Sequence, residues 1–137
     1  MKLISNSVED TRKIAKDFGA SIKGGETILL NGDLGAGKTT FTQCLLKELG
    51  VKDVVASPTF AILKSYSGKH VFHHFDTYRI TTEEAIEVGF DEILSEKDSV
   101  KIIEWSETIS ELLPENKVVI NITAIDENKR EIEIIYE

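Results

Sequence analysis

One stretch constrains this chain more than any other: Gly32-Asp33-Leu34-Gly35-Ala36-Gly37-Lys38-Thr39-Thr40. It follows the pattern G-x-x-x-x-G-K-[ST], a loop whose backbone N–H groups cradle phosphate oxygens. Such a loop needs a strand before it and a helix after it. Thr27-Ile28-Leu29-Leu30 supplies the apolar run of a strand. Phe41, Leu45 and Leu49 then recur every four residues, and Gly50 is placed to end the helix. The physical reason for the arrangement is charge. Glycines let successive N–H groups turn inward, and the helix N-terminus adds the positive end of its dipole. The whole stretch, Gly32 to Thr40, is therefore expected to hold the phosphates of a nucleotide, with Lys38 reaching the β- and γ-phosphates and the Thr39 hydroxyl ligating Mg²⁺.

A chain of 137 residues suits one domain, expected to span 1–137. Apolar residues make up 41% and charged residues 29%, an ordinary globular balance. No apolar run approaches the roughly 20 residues needed to span a bilayer. Met1-Lys2-Leu3-Ile4-Ser5 is not followed by the apolar stretch of a secretory signal. Cys44 is the sole cysteine, so no intrachain disulfide forms, and it reads as a small hydrophobe within the helix after the loop. A cytoplasmic location is expected. With 16 basic and 24 acidic residues the net charge is −8, which argues against a broad electrostatic grip on nucleic acid. The excess acid either aids solubility or leaves nucleic acid to a partner protein.

Residues 1–6 read as a short strand, and Ser7-Val8-Glu9-Asp10 as a helix start whose apolar face carries Val8, Ile14, Ala15 and Phe18. After the phosphate loop and its helix comes Ser57-Pro58-Thr59-Phe60. Thr59 is a candidate switch residue that senses Mg²⁺ and the γ-phosphate; a plain strand-entry loop explains the spacing equally well. Residues 60–66 and 70–76 read as two strands around the turn Ser67-Gly68-Lys69. On the second strand, Val71, His73 and Phe75 share one face, and Phe72, His74 and Asp76 the other.

Asp76 ends that strand, where an α/β sheet meets its ligand. It is a candidate to hold Mg²⁺ through water or to orient an attacking water. His70, His73 and His74 read as structural or surface residues, because the adjacent pair alternates across the strand. Arg79 is suited to phosphoryl charge, to a partner, or simply to solvent. Thr81 to Glu84 forms a capping box, and Gly89 interrupts the helix that follows. A second short helix is expected around 91–95. Val100-Lys101-Ile102-Ile103-Glu104-Trp105 is an apolar strand closed by an acid, the pattern of a magnesium-serving carboxylate. Glu104 is assigned to the metal and Asp76 to the water network, with the reverse assignment open. Trp105 reads as core packing. A short helix around 107–112 precedes Pro114. Two alternating runs then close the chain as a hairpin: Val118, Ile120 and Ile122, and Ile132, Ile134 and Tyr136. Residues near Ser5–Ser7 and Arg130 are candidates to border a base.

Four motifs stand in order: the phosphate loop, Ser57-Pro58-Thr59-Phe60, His74-Phe75-Asp76-Thr77-Tyr78-Arg79, and Ile103-Glu104-Trp105. Together, over nearly the whole chain, they make it resemble the TsaE family of bacterial ATPases, needed to form threonylcarbamoyladenosine at position 37 of tRNA. Ser106 stands where many members have proline. The resemblance implies an α/β P-loop NTPase: a three-layer sandwich with a mixed, mostly parallel central sheet and a C-terminal β-hairpin. It implies ATP/ADP and Mg²⁺ as ligands, Thr39 and Glu104 on the metal, and Asp76 in support of hydrolysis; Lys38 and Thr59, read from the residues themselves, complete the candidate catalytic set with Asp76 and Glu104. It implies TsaD and TsaB as partners, tRNA met only through that complex, and no membrane. A small-molecule kinase and a nucleotide-gated binding module without useful hydrolysis are the alternatives.

Overall fold

A computed structural model describes residues 1–33, 35–55, 63–78 and 80–137. The expectations placed on Leu34, on Thr59 with its Ser57–Phe60 loop, and on Arg79 fall outside the described residues. Among those described, seven strands form one mixed sheet: β1 (Lys2–Ser5), β2 (Thr27–Asn31), β3 (Leu63–Ser67), β4 (Val71–Asp76), β5 (Ser99–Glu104), β6 (Val118–Ala124) and β7 (Arg130–Tyr136). Their order is β1-β7-β6-β2-β5-β4-β3. The four inner strands, β6, β2, β5 and β4, are parallel; β3 joins one flank and the β7–β1 pair the other, all antiparallel. The expected terminal hairpin is present, and through β6 it is part of the main sheet.

Central position explains composition. β2 and β5 are covered on both faces, so they read as nearly continuous apolar runs. Ile28, Leu30, Val100 and Ile102 point to one core, which α1 (Val8–Gly19) and α2 (Lys38–Glu48) complete with Ala15, Phe18, Phe41, Leu45 and Leu46. Leu29, Phe75 and Ile103 point to a second core, closed by α3 (Thr82–Glu87), α4 (Phe90–Leu94) and the 3-10 segment Ser106–Leu112. Each fully buried Phe or Leu contributes roughly 1.5–3 kcal/mol of transfer free energy. Cys44 is buried in the first core, where desolvation pushes its thiol pKa up.

Caps set the helix boundaries. Ser7 Oγ accepts from Asp10 N at 3.1 Å to open α1. Val8, expected on the apolar face, is instead 58% exposed. Thr81 and Glu84 form the expected capping box of α3, and Gly89, at φ 85°, separates α3 from α4. At the end of α2, Gly50 adopts φ 87°, and Val51 N donates to Leu46 O, a Schellman closure. The β3–β4 turn docks there: Lys69 N donates to Leu49 O at 2.7 Å. A Cβ on Gly68 would lie 2.5 Å from that same oxygen, so only glycine fits.

At the opposite end of the sheet, Lys101 is buried on the second-core side of β5. Its ammonium donates to the carbonyls of Ser99 at 2.8 Å and of Glu96. Burial pushes its pKa down, against the pull of Glu96, Asp98 and Glu26. The half-buried Glu26 carboxylate accepts the N–H groups of Lys23, Gly24 and Gly25 at 2.6–3.0 Å. Burial alone would raise its pKa, but these bonds hold it below the ordinary 4.5. A carboxyl depressed in the folded state adds stability that is complete above its ordinary pKa and is lost as pH falls through the lower folded value. Glu26→Gln is therefore expected to lower the urea midpoint at about pH 6.5, with the gap to wild type closing toward about pH 3. A gap that does not change with pH would contradict this origin.

Candidate nucleotide site

The phosphate loop begins where β2 ends. At Gly32 a Cβ would lie 2.7 Å from Ile122 O and 3.3 Å from Ala36 Cβ, so the loop's start packs against β6 too closely for a side chain. Gly35 and Gly37 adopt φ 81° and 108°, left-handed values that favour glycine. Gly37 is the N-cap of α2 and offers no side-chain cap. The first N–H groups of an 11-residue helix are thus left facing the loop, the arrangement that receives anions.

Lys38 opens α2 and is only 7% exposed. Its Nζ is 3.7 Å from Glu104 Oε1 and 4.4 Å from the centroid of the Trp105 ring, a carboxylate and a π-face that together offset the burial of an ammonium. Glu104 ends β5 at 4% exposure, and Asp76 ends β4 at 8%. The two are register partners on adjacent parallel strands, so both carboxylates lie on the same face at the C-terminal edge of the sheet. Glu104 Oε2 is 2.6 Å from His74 Nε2. Asp76 Oδ1 accepts from Tyr78 N at 3.1 Å.

Thr77 fastens the two strand ends. Its N–H and hydroxyl both donate to Glu104 O, and the hydroxyl also reaches Trp105 O at 2.6 Å. In turn, Thr77 O accepts from Thr108 Oγ1 at 2.8 Å. Trp105 has φ 61°, the one positive value among the described non-glycine residues and a strained conformation for an aromatic side chain. The expectation that Trp105 packs in the core is corrected. The left-handed backbone turns the chain out of β5, and the half-buried ring lies over Lys38 and against the Tyr78 ring at 4.9 Å.

A cavity of about 130 Å³ opens beside the loop, between Ser7, Val8 and Thr11 of the α1 start, Gly37 and Thr40 of the loop, and Asn128 of the β6–β7 turn. Val8 departs from the core because it lines this cavity. Arg130 Nε donates to Ala36 O at 2.9 Å, while Nη1 donates to the carbonyls of Asp126 and Lys129 at 2.7 and 3.1 Å. One guanidinium thus ties the phosphate loop to the terminal hairpin.

Of the residues expected at the site, Lys38, Glu104 and Asp76 converge, with Thr39 half-buried beside Lys38. Asp33 and Gly35 are exposed on the loop. The three histidines do not converge. His73 bridges Ser65 Oγ at 2.8 Å and Glu96 Oε1 at 3.0 Å on the other face of the sheet, and His70 packs edge-on against Phe72. His74 fits the structural half of that reading, being fully buried and bonded to Glu104. The signal was available in the strand alternation, which already put His74 on the same face as Asp76. Among the described residues no cluster of three His, Cys, Asp or Glu could cage a metal by itself. The donors present are carboxylate and hydroxyl oxygens facing a phosphate loop, which fit a magnesium ion that takes its other ligands from phosphate and water.

The sequence profile of the family described as threonylcarbamoyl adenosine biosynthesis protein TsaE matches residues 5–132. A tRNA threonylcarbamoyladenosine biosynthesis protein TsaE from Rickettsia felis is 42% identical over 136 residues, covering 97% of this chain and 78% of the relative. The protein of the same name from Treponema pallidum is 33% identical and covers 98% of this chain and 99% of the relative. The crystal structure of Bacillus subtilis YdiB superposes with a TM-score of 0.81 at 36% identity, covering 96% of this chain and 82% of that one. With a profile spanning most of its length and relatives alike from end to end, the chain belongs to the TsaE family.

Proposed function

We propose that this chain is a magnesium-dependent ATP hydrolase that acts with TsaD and TsaB in forming threonylcarbamoyladenosine on tRNA. The observation that carries the reading is the pairing of buried Lys38 with buried Glu104, 3.7 Å apart at the mouth of a glycine loop and beside Asp76. Residues 1–137 act as one P-loop ATPase domain in the cytoplasm. Among the described residues no helix is long and apolar enough to cross a membrane.

The uncapped N-terminus of α2 and the loop amides receive the β- and γ-phosphates, and Lys38 turns from Glu104 to the γ-phosphate. The cavity between Val8, Thr11 and Asn128 takes the adenine. Thr39 and Glu104 would hold Mg²⁺, which when bound would supply neutralisation of phosphate charge. Asp76 orients a water in line with the γ-phosphorus. As the water oxygen bonds to phosphorus, the bond to the bridging oxygen breaks and leaves ADP and inorganic phosphate. Thr59 is assigned the sensing of the γ-phosphate.

No arginine is assigned to the transferring phosphoryl group, so turnover is expected to be slow for the isolated chain and faster with partners. Steady-state hydrolysis with and without TsaB–TsaD tests this; equal rates count against it. Reconstituted tRNA modification should need the wild-type chain and fail with Glu104→Ala.

A further inference from the structure

Glu104 has two neighbours with different freedoms. Lys38 approaches Oε1 at 3.7 Å, longer than a hydrogen bond, from the side of the phosphate loop. His74 approaches Oε2 at 2.6 Å from within the core. An ionised carboxylate only accepts, so Nε2 carries the hydrogen. The ring has no exposure and is set in the middle of β4, paired in register with Lys64 of β3 and Ile102 of β5. It cannot follow a moving ligand. Its Nδ1 has no hydrogen-bond partner among the described residues. A buried ring nitrogen left unpaired costs stability, and an apolar side chain beside Phe72 would avoid that cost. What histidine adds at this position is the bond to Glu104.

We propose that His74 is the positioning residue of the metal-side carboxylate. The Nε2–H group pins Oε2 so that Oε1 stays turned toward the phosphate loop, including after Lys38 has moved to phosphate and Glu104 has lost its other neighbour. The proposal rests on the reading of Glu104 as a magnesium ligand. Partners of this kind fix a ligand's orientation before the ion arrives, and losing one weakens metal affinity about 10–100-fold.

The test uses the full chain and ADP. Calorimetry gives the ADP Kd in EDTA and, in a magnesium titration, the Mg²⁺ concentration at half effect. His74→Gln carries an amide N–H to roughly the reach of Nε2, and His74→Asn stops short of it. His74→Ala and His74→Asn are expected to raise the half-effect Mg²⁺ concentration about tenfold or more, with the metal-free Kd unchanged, and His74→Gln to recover most of the loss. If the alanine variant does not fold, the Gln and Asn pair decides alone. An unchanged magnesium requirement in His74→Asn, or equal losses with and without metal, overturns the proposal. Wild-type ADP binding that ignores Mg²⁺ overturns instead the reading of Glu104 as a magnesium ligand.

Discussion

Lys38→Ala is expected to lower kcat/KM for ATP hydrolysis by about a thousandfold. Lys38 is buried at the mouth of the loop between Glu104 and the Trp105 ring, so a short swing brings its ammonium to the charge that develops on the γ-phosphate. An ammonium in a water-poor site acts through a lower effective dielectric than one at the surface, which is why its loss weighs so heavily. Arginine is not expected to rescue. Its planar fork is longer and is shaped for bidentate partners, whereas the space between Glu104 and the Trp105 ring holds a compact point charge. Phosphate release measured with saturating partners, alongside thermal melting to confirm the fold, checks the result. An alanine variant that keeps wild-type turnover would remove the lysine from the mechanism.

Glu104→Gln should reduce magnesium-supported hydrolysis about 100-fold or more. Glutamine keeps the shape, and its amide oxygen can still accept from His74, so the variant removes charge with little change of volume. Metal-free ADP affinity should persist, because the loop amides and Lys38 are untouched. Asp76→Asn separates the roles of the two acids. If Asp76 serves the water, its loss lowers kcat while the magnesium requirement stays put. A raised magnesium requirement in Asp76→Asn with none in Glu104→Gln would reverse the assignment.

Much of this site is written locally. The glycine loop, its flanking strand and helix, the capping box at Thr81 and the acids at two strand ends depend on spacing within a few residues, and each is found where that spacing puts it. What local pattern does not carry is strand order. Nothing near Glu104 states that β5 inserts between β2 and β4, yet that placement brings Glu104 to Lys38 and sets it beside Asp76. The alternation of β4 tells which face His74 occupies but not that a carboxylate waits across the sheet. Trp105 misleads for a related reason: its composition says core, and the left-handed turn that directs it over Lys38 is a tertiary fact held by Thr77. Val8 likewise fits the helical period but lies where the helix start meets a cavity rather than the sheet.

The turn between β3 and β4 has a consequence for how such a chain can change. Side chains alternate along a strand, so one residue gained or lost between Ser67 and Val71 would shift the reading frame of β4 and exchange its faces. Asp76 and His74 would swing away from the phosphate loop together, and Phe75 and His73 would arrive in their place. The turn has no slack to absorb such a shift, since Lys69 N donates to the carbonyl of Leu49, the C-cap of the helix that starts at Lys38, and Gly68 lies too close to that oxygen for a side chain. One helix therefore carries the glycine loop at its head and holds the register of β4 at its tail, so a length change in this hairpin reaches Asp76 and His74 at once.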